Sequence, residues 1–102
     1  MDEADKILTK ASKLIRTRGL CRHAFAKDKN GVGVEFFDEK AYTFCALGAI
    51  YNICNRNNAL SNKAIDKLRD LVKTSITNWS DASSTNKVAD ALLKARTSLR
   101  KK

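Results

Sequence analysis

A mainly α fold is predicted: a small four-helix bundle with a buried second helix and a short β-hairpin inserted between helices 1 and 2. Three observations lead there. Three segments repeat apolar residues at three- and four-residue spacing, a fourth is apolar on nearly every face, and the 102-residue chain has no proline. Such spacing draws one apolar stripe along a helix, and a helix apolar all round is a buried one. At this length there is room for one core, so residues 1–102 are read as a single domain.

Helix 1 is expected from about Glu3 to Arg18, striped by Ala4, Ile7, Leu8, Ala11, Leu14 and Ile15. Gly19 follows where a helix needs a left-handed residue, which glycine adopts without a Cβ clash. Residues 20–37 do not read as helix. Asn30-Gly31 favours a two-residue hairpin turn, and that register pairs Lys29 with Val32, Lys27 with Val34 and Phe25 with Phe36. Asp38 is placed to cap helix 2, from about Glu39 to Asn55, in which Phe44, Cys45, Leu47, Ala49, Ile50, Ile53 and Cys54 cover nearly every face. Ser61 opens helix 3, to about Thr77, on a stripe of Ala64, Ile65, Leu68, Leu71, Val72 and Ile76. Residues 78–84 are rich in capping types and read as a connection. Helix 4 then starts at Ser84 or Thr85 and carries Val88, Ala91, Leu92, Ala95 and Leu99 before the basic end at Arg100-Lys101-Lys102.

Cys45-Ala46-Leu47-Gly48-Ala49 and Trp79-Ser80-Asp81 together resemble the marks of a family of small bacterial and phage proteins classed as a domain of unknown function. That family carries C-A-L-G-A on a central helix and W-x-D ahead of the last one. The resemblance covers roughly Leu8 to Ala95; Ser80 and Cys21 depart from the residues most often found there, asparagine and tryptophan. It implies a fold and a bacterial or phage setting, and no mechanism.

Charge carries the functional expectation. The chain has a net charge of +9, and residues 82–102 hold six Lys or Arg against one acidic residue. A positive surface favours acidic partners through association rate and salt-sensitive affinity. Two concentrations form candidate partner-binding surfaces: Arg16, Arg18, Arg22, His23, Lys27 and Lys29, and the C-terminal set of Lys94, Arg96 and Arg100 with its terminal lysines. Arginine forks and lysine point charges suit phosphate or carboxylate. The expected function is therefore a non-catalytic binding module, an accessory or inhibitor protein that meets an acidic protein surface or nucleic acid. No stretch reaches the roughly 20 apolar residues of a membrane span, the start is acidic, and a cytoplasmic, membrane-free protein is expected.

Catalytic and metal chemistry find little support. Cys45 read two turns inside a helix lies beyond the reach of the dipole that would activate a thiol; His23 is the sole histidine, with Asp81 or Asp38 to orient it. Cys21 and His23 could ligate a metal with Cys45 or Cys54, but the latter two are turned about 180° apart on a helix. No metal, cofactor or enzyme activity is expected. Glu35, Asp38 and Glu39 suit a helix start, and Asn30-Gly31-Val32-Gly33 lacks the lysine and the strand-to-helix context of a phosphate loop. Trp79 reads first as a plug between helices. The alternative function is a small-ligand or enzymatic site centred on Cys45, Trp79 and Asp81; a purely structural or oligomeric component is the third.

Overall fold

The computed structural model describes residues 3–54, 58–73 and 75–96. Among these the fold is mainly helical, with five helices and a small three-stranded sheet. The first helix, α1 (Glu3–Arg18), ends as its sequence requires. The Gly19 amide donates to the Ile15 carbonyl at 2.8 Å, and Gly19 is left-handed at φ 100°. Ala4, Ile7, Leu8, Ala11 and Ile15 are buried as one stripe.

The sheet follows in two steps. Strands β1 (Ala26–Lys27) and β2 (Gly33–Val34) pair antiparallel, but Ala26 faces Val34 and Lys27 faces Gly33, one residue off the expected register. The cause is Asp28. Its carboxylate accepts from the Asn30 and Val32 amides at 2.8 and 3.0 Å, and its own amide donates to the Val32 carbonyl. The hairpin therefore closes on a three-residue loop with Gly31 left-handed, in place of the two-residue Asn-Gly turn. A one-residue slip moves every side chain to the other face. Ala26 and Val34 now join the core, and Phe25 and Phe36 each meet Tyr51 instead of one another, at ring separations of 5.7 and 5.2 Å.

A third strand, β3 (Thr43–Phe44), occupies what was expected to be the first turns of helix 2. Asp38 makes a turn instead of a cap: its carboxylate accepts from Lys40 N and its carbonyl from Ala41 N. The chain leaves that turn extended, and β3 pairs with β1, giving the order β2-β1-β3. On its other edge β3 meets Leu20, which bridges to Phe44 in parallel.

Helix α2 (Ala46–Cys54) is thus shorter than expected, though central: it packs against α1 and against the next two helices. Helix α3 (Asn58–Val72) starts before Ser61 and stops five residues before Thr77. Lys73, at φ 60°, takes the left-handed position after it, its amide bonded to the Arg69 carbonyl. Ser75 then caps a separate helix, α4 (Ile76–Ala82), accepting from the Asn78 amide. The expected 78–84 connection is therefore mostly helix, because serine and threonine at 75, 77 and 83 supply caps at both ends of one short turn pair. Ser84 caps α5 (Thr85–Lys94) as expected. Arg100 and the expected end of that helix at Leu99 lie outside the described residues.

Among the described residues, Asp5 and Lys67 form a buried ion pair. Lys67 donates to Asp5 at 2.7 Å, with the two side chains 10% and 1% exposed. It ties the first turn of α1 to α3 across the core.

Candidate functional site

The start of α2 is where separate parts of the chain meet. Cys45 is its N-cap: Sγ accepts from the Gly48 amide at 3.3 Å. The Ala46 amide is taken by the buried Ser80 hydroxyl of α4 at 3.2 Å. Over this end passes the backbone of Phe25, whose carbonyl accepts from Cys45 N at 3.1 Å. Gly48 allows that approach, since a Cβ there would lie 1.9 Å from the Phe25 oxygen. The placement of Cys45 two turns inside its helix is thereby corrected: β3 consumes the residues that would have preceded it.

The segment 21–25 arches around Cys45 and is held by α4. Arg22 donates to the carbonyls of Asp81 and Ser83, both at 2.8 Å. The Asp81 carboxylate accepts from the His23 amide at 3.1 Å and lies 3.5 Å from its ring Nδ1. His23 adopts the left-handed backbone at φ 66°, and its ring is 81% exposed. His23, Ala24, Phe25, Cys45, Thr77 and Asp81 line an open cleft of about 370 Å³. Burial pushes the Cys45 thiol above its ordinary pKa, and Cys21 and Asp81 push the same way; the Gly48 and Leu47 amides oppose them. Burial likewise raises Cys21, against Thr43 and Lys27, and Cys54. A thiol held protonated is a poor nucleophile at neutral pH. Among the described residues no group of three or more His, Cys, Asp or Glu is arranged to hold a metal ion.

The alternative trio is only partly brought together. Cys45 and Asp81 share this cleft, whereas Trp79 faces another, of about 350 Å³, with Leu71, Val72, Lys87 and Lys94.

The basic residues divide by what they touch. Arg16 pairs with Asp90 of α5. Arg22 and His23 are engaged as above. Arg96 donates to the Leu93 carbonyl at 2.9 Å and to the Thr9 hydroxyl at 3.4 Å. Lys94 lies on the rim of the Trp79 cleft, and Lys27 sits in the sheet between its register partners Gly33 and Thr43. Arg18 and Lys29 converge. Both stand over the Tyr42 ring, the guanidinium carbon 4.8 Å and the ammonium 5.3 Å from its centroid. Among the described residues Arg18 otherwise holds two carbonyls, of Ala41 and Tyr42, at 3.4 Å each.

Beside this pair opens a cleft of about 590 Å³, lined by Arg18, Lys29, Lys40 and Tyr42, with Asp28 and Glu39 on its wall. Lys40 and Tyr42 escaped the sequence reading because they sat inside a segment assigned to helix 2. The aromatic run Tyr42-x-Phe44 at strand spacing was the available signal. Phe25 and Phe37 are 44% and 50% exposed.

No helix among the described residues is long and apolar enough to cross a membrane. No curated protein and no solved structure matches the chain. A family model does match, over residues 1–98: this chain belongs to a family of unknown function, DUF6197.

Proposed function

We propose that the chain is a non-catalytic binding module for an acidic partner, a protein surface or a nucleic acid, and that it engages this partner at the Tyr42 cleft. The observation that carries the reading is the convergence of Arg18 and Lys29 on one ring at the edge of an open cleft. Most of the other arginines expected at the surface already hold carboxylates, carbonyls or a hydroxyl of the chain itself. Arg18 and Lys29 spend their charge on an aromatic face, which leaves donors to offer to phosphate or carboxylate. Lys40 adds a third cation; Asp28 and Glu39 limit how much negative charge the cleft accepts. The accessory or inhibitor role in a bacterial or phage setting is part of the same proposal.

Titration of the isotopically labelled chain with a short single-stranded oligonucleotide, a duplex and an acidic peptide tests it. Amide shifts should concentrate at residues 18, 29, 40 and 42 for at least one probe and vanish at high salt. Shifts centred on residues 23, 45 and 81 with a small neutral ligand would favour a second reading, a ligand site in the His23 cleft. That reading draws on the shared cleft of Cys45, His23 and Asp81.

A further inference from the structure

Three cysteines are buried in the fold, and two of them are neighbours. Phe44 N donates to the Gly19 carbonyl at 3.4 Å and Cys21 N to the Phe44 carbonyl at 3.2 Å. These are the bonds of a parallel pair with Leu20 opposite Phe44. Cys21 and Cys45 each follow this bridged pair by one residue, where the ladder ends as the Ala46 and His23 amides turn to Ser80 and Asp81. The bridged segments lie about 4.8 Å apart at Leu20 and Phe44, so the residues that follow start near the Cα window of about 4.4–6.8 Å that a disulfide spans, and Cys21 is among the groups that act on the Cys45 thiol. In the reduced chain the sulfurs hold other partners, Cys21 Sγ the Ala24 carbonyl and Cys45 Sγ the Gly48 amide. Cys45, though only 3% exposed, lines the open cleft beside His23, the side from which a small reagent would approach it. Cys54 stands at the other end of α2, nine residues further along the helix.

We propose that Cys21 and Cys45 are a redox pair, closed to a disulfide by exchange with a small disulfide such as oxidised glutathione. One cysteine loses its proton to solvent and its sulfur attacks the glutathione disulfide, releasing one glutathione thiolate. The second cysteine, deprotonated in turn, attacks the mixed disulfide and releases the other. Two protein thiols and one oxidised glutathione become one protein disulfide and two reduced glutathiones. Burial keeps both thiols protonated, so closure accelerates as pH rises. The bond ties the 21–25 arch to the first turn of α2 and fixes the His23–Asp81 rim. This inference stands apart from the binding reading, since it uses neither Arg18 nor Tyr42.

The test is incubation of the folded full chain with oxidised glutathione, then intact mass and non-reducing peptide mapping. Trypsin releases Cys21 on residues 19–22 but leaves Cys45 and Cys54 on one peptide, so chymotrypsin is added to cut between them. The expected result is a mass loss of two hydrogens, residues 19–22 linked to the Cys45 fragment, and Cys54 free. Cys21→Ser should stop at a glutathione adduct on Cys45. A link to Cys54, adducts that persist on the unsubstituted chain without an internal link, or an unchanged mass would each overturn the proposal.

Discussion

The hydroxyl of Ser80 accepts from the backbone amide of Ala46 at 3.2 Å, across 34 residues of sequence. This bond joins the Trp79-Ser80-Asp81 segment to the Cys45-Ala46-Leu47-Gly48-Ala49 segment. It gives the middle residue of Trp79-Ser80-Asp81 a reason to accompany Cys45-Ala46-Leu47-Gly48-Ala49: one segment caps the helix that the other begins. Asp81, next along, holds the arch that passes over the same helix end.

Ser80→Ala should therefore destabilise the fold through α2. The Ala46 amide would be buried without a partner, at a cost of about 1–3 kcal/mol. Urea unfolding of the variant measures it; a midpoint equal to the parent would mean water replaces the hydroxyl at no cost.

Gly48→Ala should be worse. Its Cβ would stand 1.9 Å from a backbone oxygen, which cannot swing aside as a side chain can. A loss of about 3 kcal/mol or more is expected, at the upper end for overpacking. Thermal unfolding with circular dichroism reads it, and a melting temperature near the parent value would show that the Phe25 arch is not anchored where described.

The Asp5–Lys67 pair offers a cycle. Lys67→Met removes a charged donor from the buried Asp5 carboxylate and should cost about 1.5–3 kcal/mol, whereas Asp5→Leu with Lys67→Met should recover part of that loss. Equal stabilities for the single and double variants would contradict a desolvated pair.

The thiols give a pH dependence. Cys45 has its folded pKa raised by burial, so folding favours its protonated form. That contribution is complete below the unfolded thiol value of about 8.5 and is lost as pH rises through the higher folded value. Cys45→Ala should flatten the alkaline loss of stability relative to the parent, measured by urea unfolding from pH 7 to 10. An identical slope would mean Cys45 does not titrate with unfolding.

Periodicity made α1 legible to its last residue, because its stripe and Gly19 depend only on neighbours in sequence. The same holds for the Ser84 cap of α5. Three features depended on competition that periodicity does not score. The Asp28 carboxylate, bonding two loop amides, outweighed the Asn-Gly turn and shifted the hairpin register. Pairing with β1 drew residues 43–44 out of helix 2, which carried Cys45 from a helix interior to an N-cap. Lys73 took a left-handed backbone, a conformation few non-glycine residues adopt, and split the third helix. The basic residues were visible as a set, but whether each one faced solvent, a carboxylate or a ring was fixed only by packing. Tyr42, the centre of the candidate site, was hidden by the misplaced start of helix 2.

The most direct test compares two charge reversals in one binding assay. Arg18→Glu with Lys29→Glu removes the cations over Tyr42; Lys94→Glu with Arg96→Glu reverses the end of α5. Affinity for the acidic probe that shifts the parent chain is measured by fluorescence anisotropy at several salt concentrations, on variants whose circular dichroism matches the parent. The first pair should lose at least about tenfold in affinity, a 1.4 kcal/mol change, with a shallower salt slope, and the second should change little. Unchanged binding by the first pair, with loss confined to the second, would contradict it.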